Sequence, residues 1–503
     1  MRISASTVAA MREANAVVVG VHKEVRTAAL PSIDSRVDNR LNHKPGGMLK
    51  DFPSFDGTLG DVLYGTGDTR FPGTIVLVGL GEKDKYDLAA LRKFVSAGVK
   101  AAASAPIKAS YINLVVPFPT TGETTHVYSI QAATEAAKLS TYEFLHCKSD
   151  PKPKYDISGL TIVHDESQVV AENGIRLGEI SANAQNYARY LVNLPAADLT
   201  PADLADRAGE VAKASGLGYE IFDQRKIKQH KMGGVLAVSA GSNKEPRFIV
   251  IRYRPEGAKE HLALVGKGVT FDSGGLSIKP TDSMMDMKGD MGGAAAVIAV
   301  MSAITQLNPD INVTAVIPSV ENMLGSGAYK LGDVVTFMGG QRAEIRNTDA
   351  EGRVILGDAL HWAVDEKCED ANTVFDYATL TGACMVALGE HITGLITNND
   401  ALAERVIKAS KHTGEKMWQL PLDDELRKKI DGDVGDFNNL GINRYGGAST
   451  AAAFLEKFVQ GKSWVHHDIA GPAWAEKPNA LGPAGGTGVP VRTMLHFLGY
   501  RLS

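Results

Sequence analysis

Residues 264–293 read LVGKGVTFDSGGLSIKPTDSMMDMKGDMGG and carry seven ionisable side chains: Lys267, Asp272, Lys279, Asp282, Asp286, Lys288 and Asp290. Any of these that turns inward needs a partner, because an unpaired buried charge costs several kcal/mol or more. A second polar stretch, 340–359, reads GQRAEIRNTDAEGRVILGDA and alternates Asp349, Glu351 and Arg353. In an extended segment that alternation places all three side chains on one side. Taken alone, the second stretch is better read as a solvated charge cluster. If it meets Asp272 and Asp290 at one sheet edge, four carboxylates converge, and carboxylates converge only around cations. Hard divalent ions are the usual answer, Zn, Mn, Mg or Co. A pair of metals about 3.5–4 Å apart would use bridging carboxylates and activate a shared water. Neither segment contains a histidine, which argues against a His-rich zinc site.

The elements that must position these groups are legible as patterns. The apolar run 262–265 ends at Gly266 and predicts a buried strand, and 292–307 has helical spacing. A strand, a polar loop and a helix is where α/β proteins place chemistry, outside the carboxyl ends of strands. Further strands are expected at 74–79, 111–116, 234–239, 247–253, 313–317, 373–377, 391–396 and 463–469. Helices are expected at 87–103, 169–192, 201–214, 354–364, 400–412 and 448–460, with Thr200 as N-cap and Pro201 opening its helix. The fold class is therefore α/β: an N-terminal α/β domain (1–165), a connecting helical segment (166–200), and a larger doubly wound, mostly parallel-sheet domain (201–503). Gly79-Leu80-Gly81 resembles a nucleotide fingerprint, but its third glycine position is Asp84, so a strand-exit turn is the better reading.

Composition bounds the rest. A chain of 503 residues exceeds what one core supports. A formal net charge of −5 argues against nucleic acid as the main partner. The three cysteines form no C-x-x-C pair, and a reducing cytoplasm is the simplest compartment. The run at 16–21 is too short for a secretory or membrane segment, and other apolar runs read as strand-length, so no membrane association is expected. Cys384 has no identifiable base and reads as a small buried residue. His466 and His467 lack ligand spacing and read as structural.

VGKGVTFDSGGLSIKP, the downstream KGDMGG, NTDAEGR, and the later 378–383 (ATLTGA) and 485–488 (GGTG) stretches resemble the leucyl (cytosol) aminopeptidases, dinuclear metallo-exopeptidases. The resemblance spans the C-terminal half; the N-terminal third matches only in its α/β pattern. It implies that Asp272 and Glu351 bridge two metals, Mn or Zn, or else Mg or Co. Asp349 would complete a readily exchanged site, and Lys267 and Asp290 a tight one, the lysine as a neutral amine. Lys279 would face the scissile carbonyl and stabilise the gem-diolate, while Arg353 would hold a bicarbonate that shuttles the proton. Met287, Thr379, Gly382 and Ala470 would line a pocket for Leu or Met side chains, with Ala473 nearby. Two departures stand out: Val354 where the family usually has Leu, and Ala197 where Asn is common.

The resemblance further implies peptide substrates with a free N-terminus and a homohexamer. Two other readings compete. One is a dinuclear phosphatase on the same scaffold, with Lys279 and Arg353 clamping phosphate. The other is DNA binding by the N-terminal domain, as in some bacterial members; here only Lys148, Lys152 and Lys154 form a modest basic cluster, beside Asp150.

Overall fold

The structure is a computed structural model and describes all residues except 9, 12–13, 24–34, 42, 68–72, 106–108, 120–124 and 500–503. The chain divides into two compact units, Met1–Asn183 with Lys477–Ala484, and Ala184–Glu476 with Gly485–Ser503.

In the first unit a six-stranded sheet runs Arg2–Ser6, Gly159–Val163, Tyr111–Val115, Ala16–Lys23, Thr74–Glu82, Val62–Thr66. Every pairing is parallel except the last. Asp87 caps the Leu88–Ser104 helix by accepting from Ala90 N at 2.8 Å. Val18, Val76, Phe94 and Leu114 fill the core beneath it. In the basic cluster, Lys152 Nζ pairs with Asp150 Oδ2 at 2.8 Å, which offsets part of its charge.

The second unit holds a nine-stranded sheet whose central strands, Ser463–Asp468, Thr373–Ala378, His261–Gly266 and Asn312–Asn322, are parallel neighbours. Antiparallel pairs flank them: Arg247–Tyr253 against Asn312–Asn322, and Thr393–Thr397 against Ser463–Asp468. Strand periodicity sorts the two faces. Ala263, Val265 and Val374 join the core with Val354, Ile355 and Phe454, whereas Leu262, Leu264 and Phe375 face Met494 and Phe497 on the opposite side. The α/β alternation anticipated from the sequence is present in both units.

The Gly292–Leu307 helix is apolar all round because it is enclosed, with nearly every residue up to Ile304 buried. The helical stretch Thr281–Leu307 is long and apolar enough to cross a membrane by composition, but it is mostly buried inside the protein. Thr200 caps the Pro201–Ala214 helix in a capping box with Asp203, as its sequence predicts.

One expected strand is wrong. Residues 234–239 belong to the helix Gly233–Ser239. Asp358 Oδ2 accepts Val235 N at 2.9 Å and satisfies the first turn, and the segment is buried on several sides. A short apolar run enclosed in this way carries no periodicity to separate helix from strand.

Candidate metal centre

Four charged groups meet at the carboxyl end of the central strands. Lys267 leaves His261–Gly266, Asp272 ends Gly268–Asp272, Asp290 follows the 3-10 turn Met287–Gly289, and Glu351 opens the Glu351–Val364 helix. All four are buried, none more than 5% exposed. Two glycines permit this closeness. A Cβ on Gly293 would sit 1.9 Å from Tyr377 O, and one on Gly352 2.6 Å from Lys267 Cε.

Carboxylate oxygens of Asp272, Asp290 and Glu351 lie within 4.8 Å of one another. Lys267 Nζ stands among them, 2.7 Å from Asp290 Oδ1 and 2.9 Å from Glu351 Oε1, and it donates to Thr379 O at 2.8 Å. Lys279 Nζ bridges Asp272 Oδ2 at 2.9 Å and Asp349 Oδ1 at 2.5 Å. Burial pulls the Lys267 ammonium down, but Asp290, Glu351 and Asp272 more than restore it, so its pKa lies above the ordinary lysine value. Lys279 behaves likewise, raised chiefly by Asp272 against desolvation. Burial raises Asp272 and Asp290 above the usual carboxylate range.

This donor set fits divalent metal. Asp290 Oδ2 and Glu351 Oε2 are buried without any hydrogen-bond partner, an arrangement that costs free energy unless a cation completes it. Lys267 and Lys279 supply counter-charge to these carboxylates. The oxygen-rich cluster matches hard or borderline ions.

Asp349 lies in the turn before the helix, with a third of its side chain exposed. Arg353 is buried, and its Nη1 donates to Asn439 O at 2.9 Å; desolvation lowers its pKa to about 10, which leaves it charged at neutral pH. The extended alternation expected of Asp349, Glu351 and Arg353 is not what unites them. The helix already begins at Glu351, so Glu351 and Arg353 lie about 200° apart around its axis.

Met287 starts the 3-10 turn and is half-buried, Gly382 opens the Gly382–Leu388 helix and is exposed, and Ala470 is half-buried. Thr379 touches the charged centre directly: its Oγ1 donates to Asp290 Oδ1 at 2.7 Å. Thr379 and Ala473 both approach Gly292, 3.5 and 3.6 Å from where its Cβ would stand. Asp468, unremarked in the sequence, binds these segments together. Its Oδ1 accepts Leu380 N at 3.3 Å and Ala470 N at 3.2 Å, and its Oδ2 accepts Thr381 Oγ1 at 2.6 Å.

Of the loop charges without an expected role, Asp282 and Asp286 are exposed. Lys288 is half-buried: its Nζ donates to Asn193 O at 3.0 Å and lies 5.8 Å from the Trp474 ring centre. Cys384 is buried, and desolvation pushes its thiol up to about 12, which removes it as a nucleophile at neutral pH.

Comparison with known proteins gives two family matches. The catalytic domain of the cytosol aminopeptidase family matches residues 186–495, and the same family's N-terminal domain matches residues 18–151. The chain belongs to the cytosol aminopeptidase family. It is accordingly a metallo-aminopeptidase, a hydrolase, which sets aside the phosphatase reading. The match at 18–151 also carries the likeness into the N-terminal third, where the sequence offered only an α/β pattern.

Among cytosol aminopeptidase relatives, a probable cytosol aminopeptidase of Aquifex aeolicus is 44% identical over 454 residues, covering 90% of this chain and 89% of its own. One from Persephonella marina is 40% identical, covering 95% and 97%. Among solved structures, a tomato leucine aminopeptidase mutant superposes with a TM-score of 0.87 at 31% identity, covering 99% of this chain and 96% of that one. The bottromycin maturation enzyme BotP, solved in complex with Mn, gives 0.84 at 33% identity, covering 96% and 99%. Of the two departures from the family pattern, Val354 is fully buried in the core.

Proposed function

We propose that this aminopeptidase releases N-terminal residues, preferentially Leu and other apolar ones, from peptides, using two divalent ions (Mn or Zn, or else Mg or Co) held by Lys267, Asp272, Asp290, Asp349 and Glu351. The observation that carries the reading is the buried trio Asp272, Asp290 and Glu351, two of whose oxygens lack partners. The ions, when bound, polarise the scissile carbonyl and lower the pKa of water. The substrate's free α-amine would bind one of the ions and Asp290, which confines cleavage to the first residue. Lys279, charged and at the mouth of the cluster, would stabilise the oxyanion that develops on the carbonyl. Arg353 is too basic to take a proton itself, but its planar fork suits bicarbonate. Arg353 would hold that anion where the proton given up by the attacking water can pass to the leaving amine. Met287, Thr379, Gly382 and Ala470 would receive the first side chain, and a Met beside small residues makes an adaptable apolar wall. A cytoplasmic homohexamer is the setting we propose.

The test combines metal analysis with Asp272→Ala and Glu351→Ala. Each is expected to lose bound metal and leucine-p-nitroanilide turnover together. If both variants keep two metals and full turnover, the mechanism is wrong.

A further inference from the structure

The metal cage is assembled from two stretches far apart in the chain, and one neutral side chain joins them. Asn322 ends the strand Asn312–Asn322, pairs in register with Asp272, and is 1% exposed. Its Nδ2 donates in two directions, to Asp272 Oδ1 at 2.8 Å and to Thr348 O at 3.0 Å. Thr348 immediately precedes Asp349. Its carbonyl also accepts Tyr329 OH at 2.8 Å, and its Oγ1 donates to Gly274 O at 2.7 Å. One amide nitrogen therefore spans from a carboxylate of the first stretch to the backbone that carries a carboxylate of the second.

The amide's orientation follows from its neighbours. Flipping it would set Oδ1 against a carboxylate and a carbonyl, both acceptors. The cost of the observed orientation is visible: Asn322 Oδ1 is buried without a partner. Leaving a buried acceptor unpaired costs free energy, so the two donated bonds must outweigh it. Asp272 Oδ1 is also saturated by Gly274 N at 2.8 Å, which leaves Oδ2, the oxygen facing Lys279, to turn toward a cation.

We propose that Asn322 is a positioning residue for the metal centre. It orients Asp272 and fixes the spacing between Asp272 and Asp349, and so governs how tightly the more exchangeable divalent ion is held. No other common side chain offers two donors on one short, planar, uncharged group: Asp would meet two acceptors without a proton, and Leu would leave both unpaired.

The proposal rests on Asp272 and Asp349 being ligands, so the test separates the two ideas. Mn²⁺ and Zn²⁺ binding to full-length Asn322→Leu, Asn322→Ser and Asp272→Ala would be measured by chelator competition and by the Mn²⁺ paramagnetic resonance signal. Asn322→Leu is expected to weaken the exchangeable ion roughly 10–100-fold, the usual effect of losing a group that orients a ligand, with a smaller change at the tight ion. Asn322→Ser, which disturbs packing less, should lie between Asn322→Leu and wild type, and it carries the test alone if Asn322→Leu does not fold. Unaltered metal affinity in the Asn322 variants, with Asp272→Ala deficient in metal, overturns the role of Asn322 alone. Unaltered affinity in Asp272→Ala overturns the ligand assignment beneath it.

Discussion

Lys267 Nζ lies 2.9 Å from Glu351 Oε1, and both side chains are almost wholly shielded from water. The ion pair closes the gap between the first charged stretch and the second. The Lys267 ammonium pairs with two of the three buried carboxylates, Asp290 and Glu351.

Removing that ammonium should therefore be costly in the metal-free state. Lys267→Ala is expected to lower the stability of the EDTA-treated protein by about 3–5 kcal/mol, the range for breaking a buried ion pair. Urea unfolding measures it. A metal-free variant as stable as the wild type would show that the lysine is not the counter-charge.

Lys279 contacts Asp272 and Asp349 but remains partly accessible, with 15% of its side chain exposed. Lys279→Met should retain metal and lower kcat roughly 10²–10³-fold with KM little changed, as expected for a donor acting on developing charge. Steady-state kinetics on leucine-p-nitroanilide decide the point, and a change confined to KM would assign the lysine to substrate binding instead.

Arg353→Lys keeps a positive charge and gives up the planar fork. We expect kcat to fall on the order of 10²-fold, the contribution of a positioned proton carrier, and the response to added bicarbonate to disappear. A variant that still responds to bicarbonate would place that anion elsewhere.

The adjacent His466 and His467 face opposite sides of the sheet and take opposite shifts. Burial opposes the His466 proton, but Asp376, 2.5 Å from its Nδ1, retains it and raises the pKa. His467 packs on Tyr377 with ring centres 4.3 Å apart, and burial drives its pKa down to about 3. The unfolded chain titrates near 6.5, so below that pH it binds a proton that native His467 refuses. This share of stability is complete above about pH 6.5 and is lost as pH falls toward 3, by up to about 1.4 kcal/mol per pH unit. His467→Phe keeps the ring and loses the contact to Asp376 O at 3.1 Å. It should be about 1 kcal/mol less stable at pH 8 but decline less steeply in acid. Thermal unfolding from pH 8 to 4 checks this, and parallel pH curves would refute it.

What was legible in the sequence was whatever depends on neighbours along the chain. The helices Pro201–Ala214 and Gly292–Leu307 follow from spacing and, in the first, from the Thr200 cap. The order of the charged motifs carried the family likeness, and with it the expected ligand set. Local reasoning failed where enclosure overrides periodicity, as at Gly233–Ser239, and where a helix starts inside an alternating charged run, as at Glu351. It was silent on Asn322, Asp468 and the hydroxyl of Thr379. Each of these is an ordinary polar residue at a strand end or just beyond one, and its role depends on which strand lies beside it. Parallel pairing of His261–Gly266 with Asn312–Asn322 and Thr373–Ala378 decides that. Residue types and spacing thus determined which carboxylates were available, whereas the order of the strands determined which could meet, because buried like charges converge only where the fold supplies cations and donors to hold them.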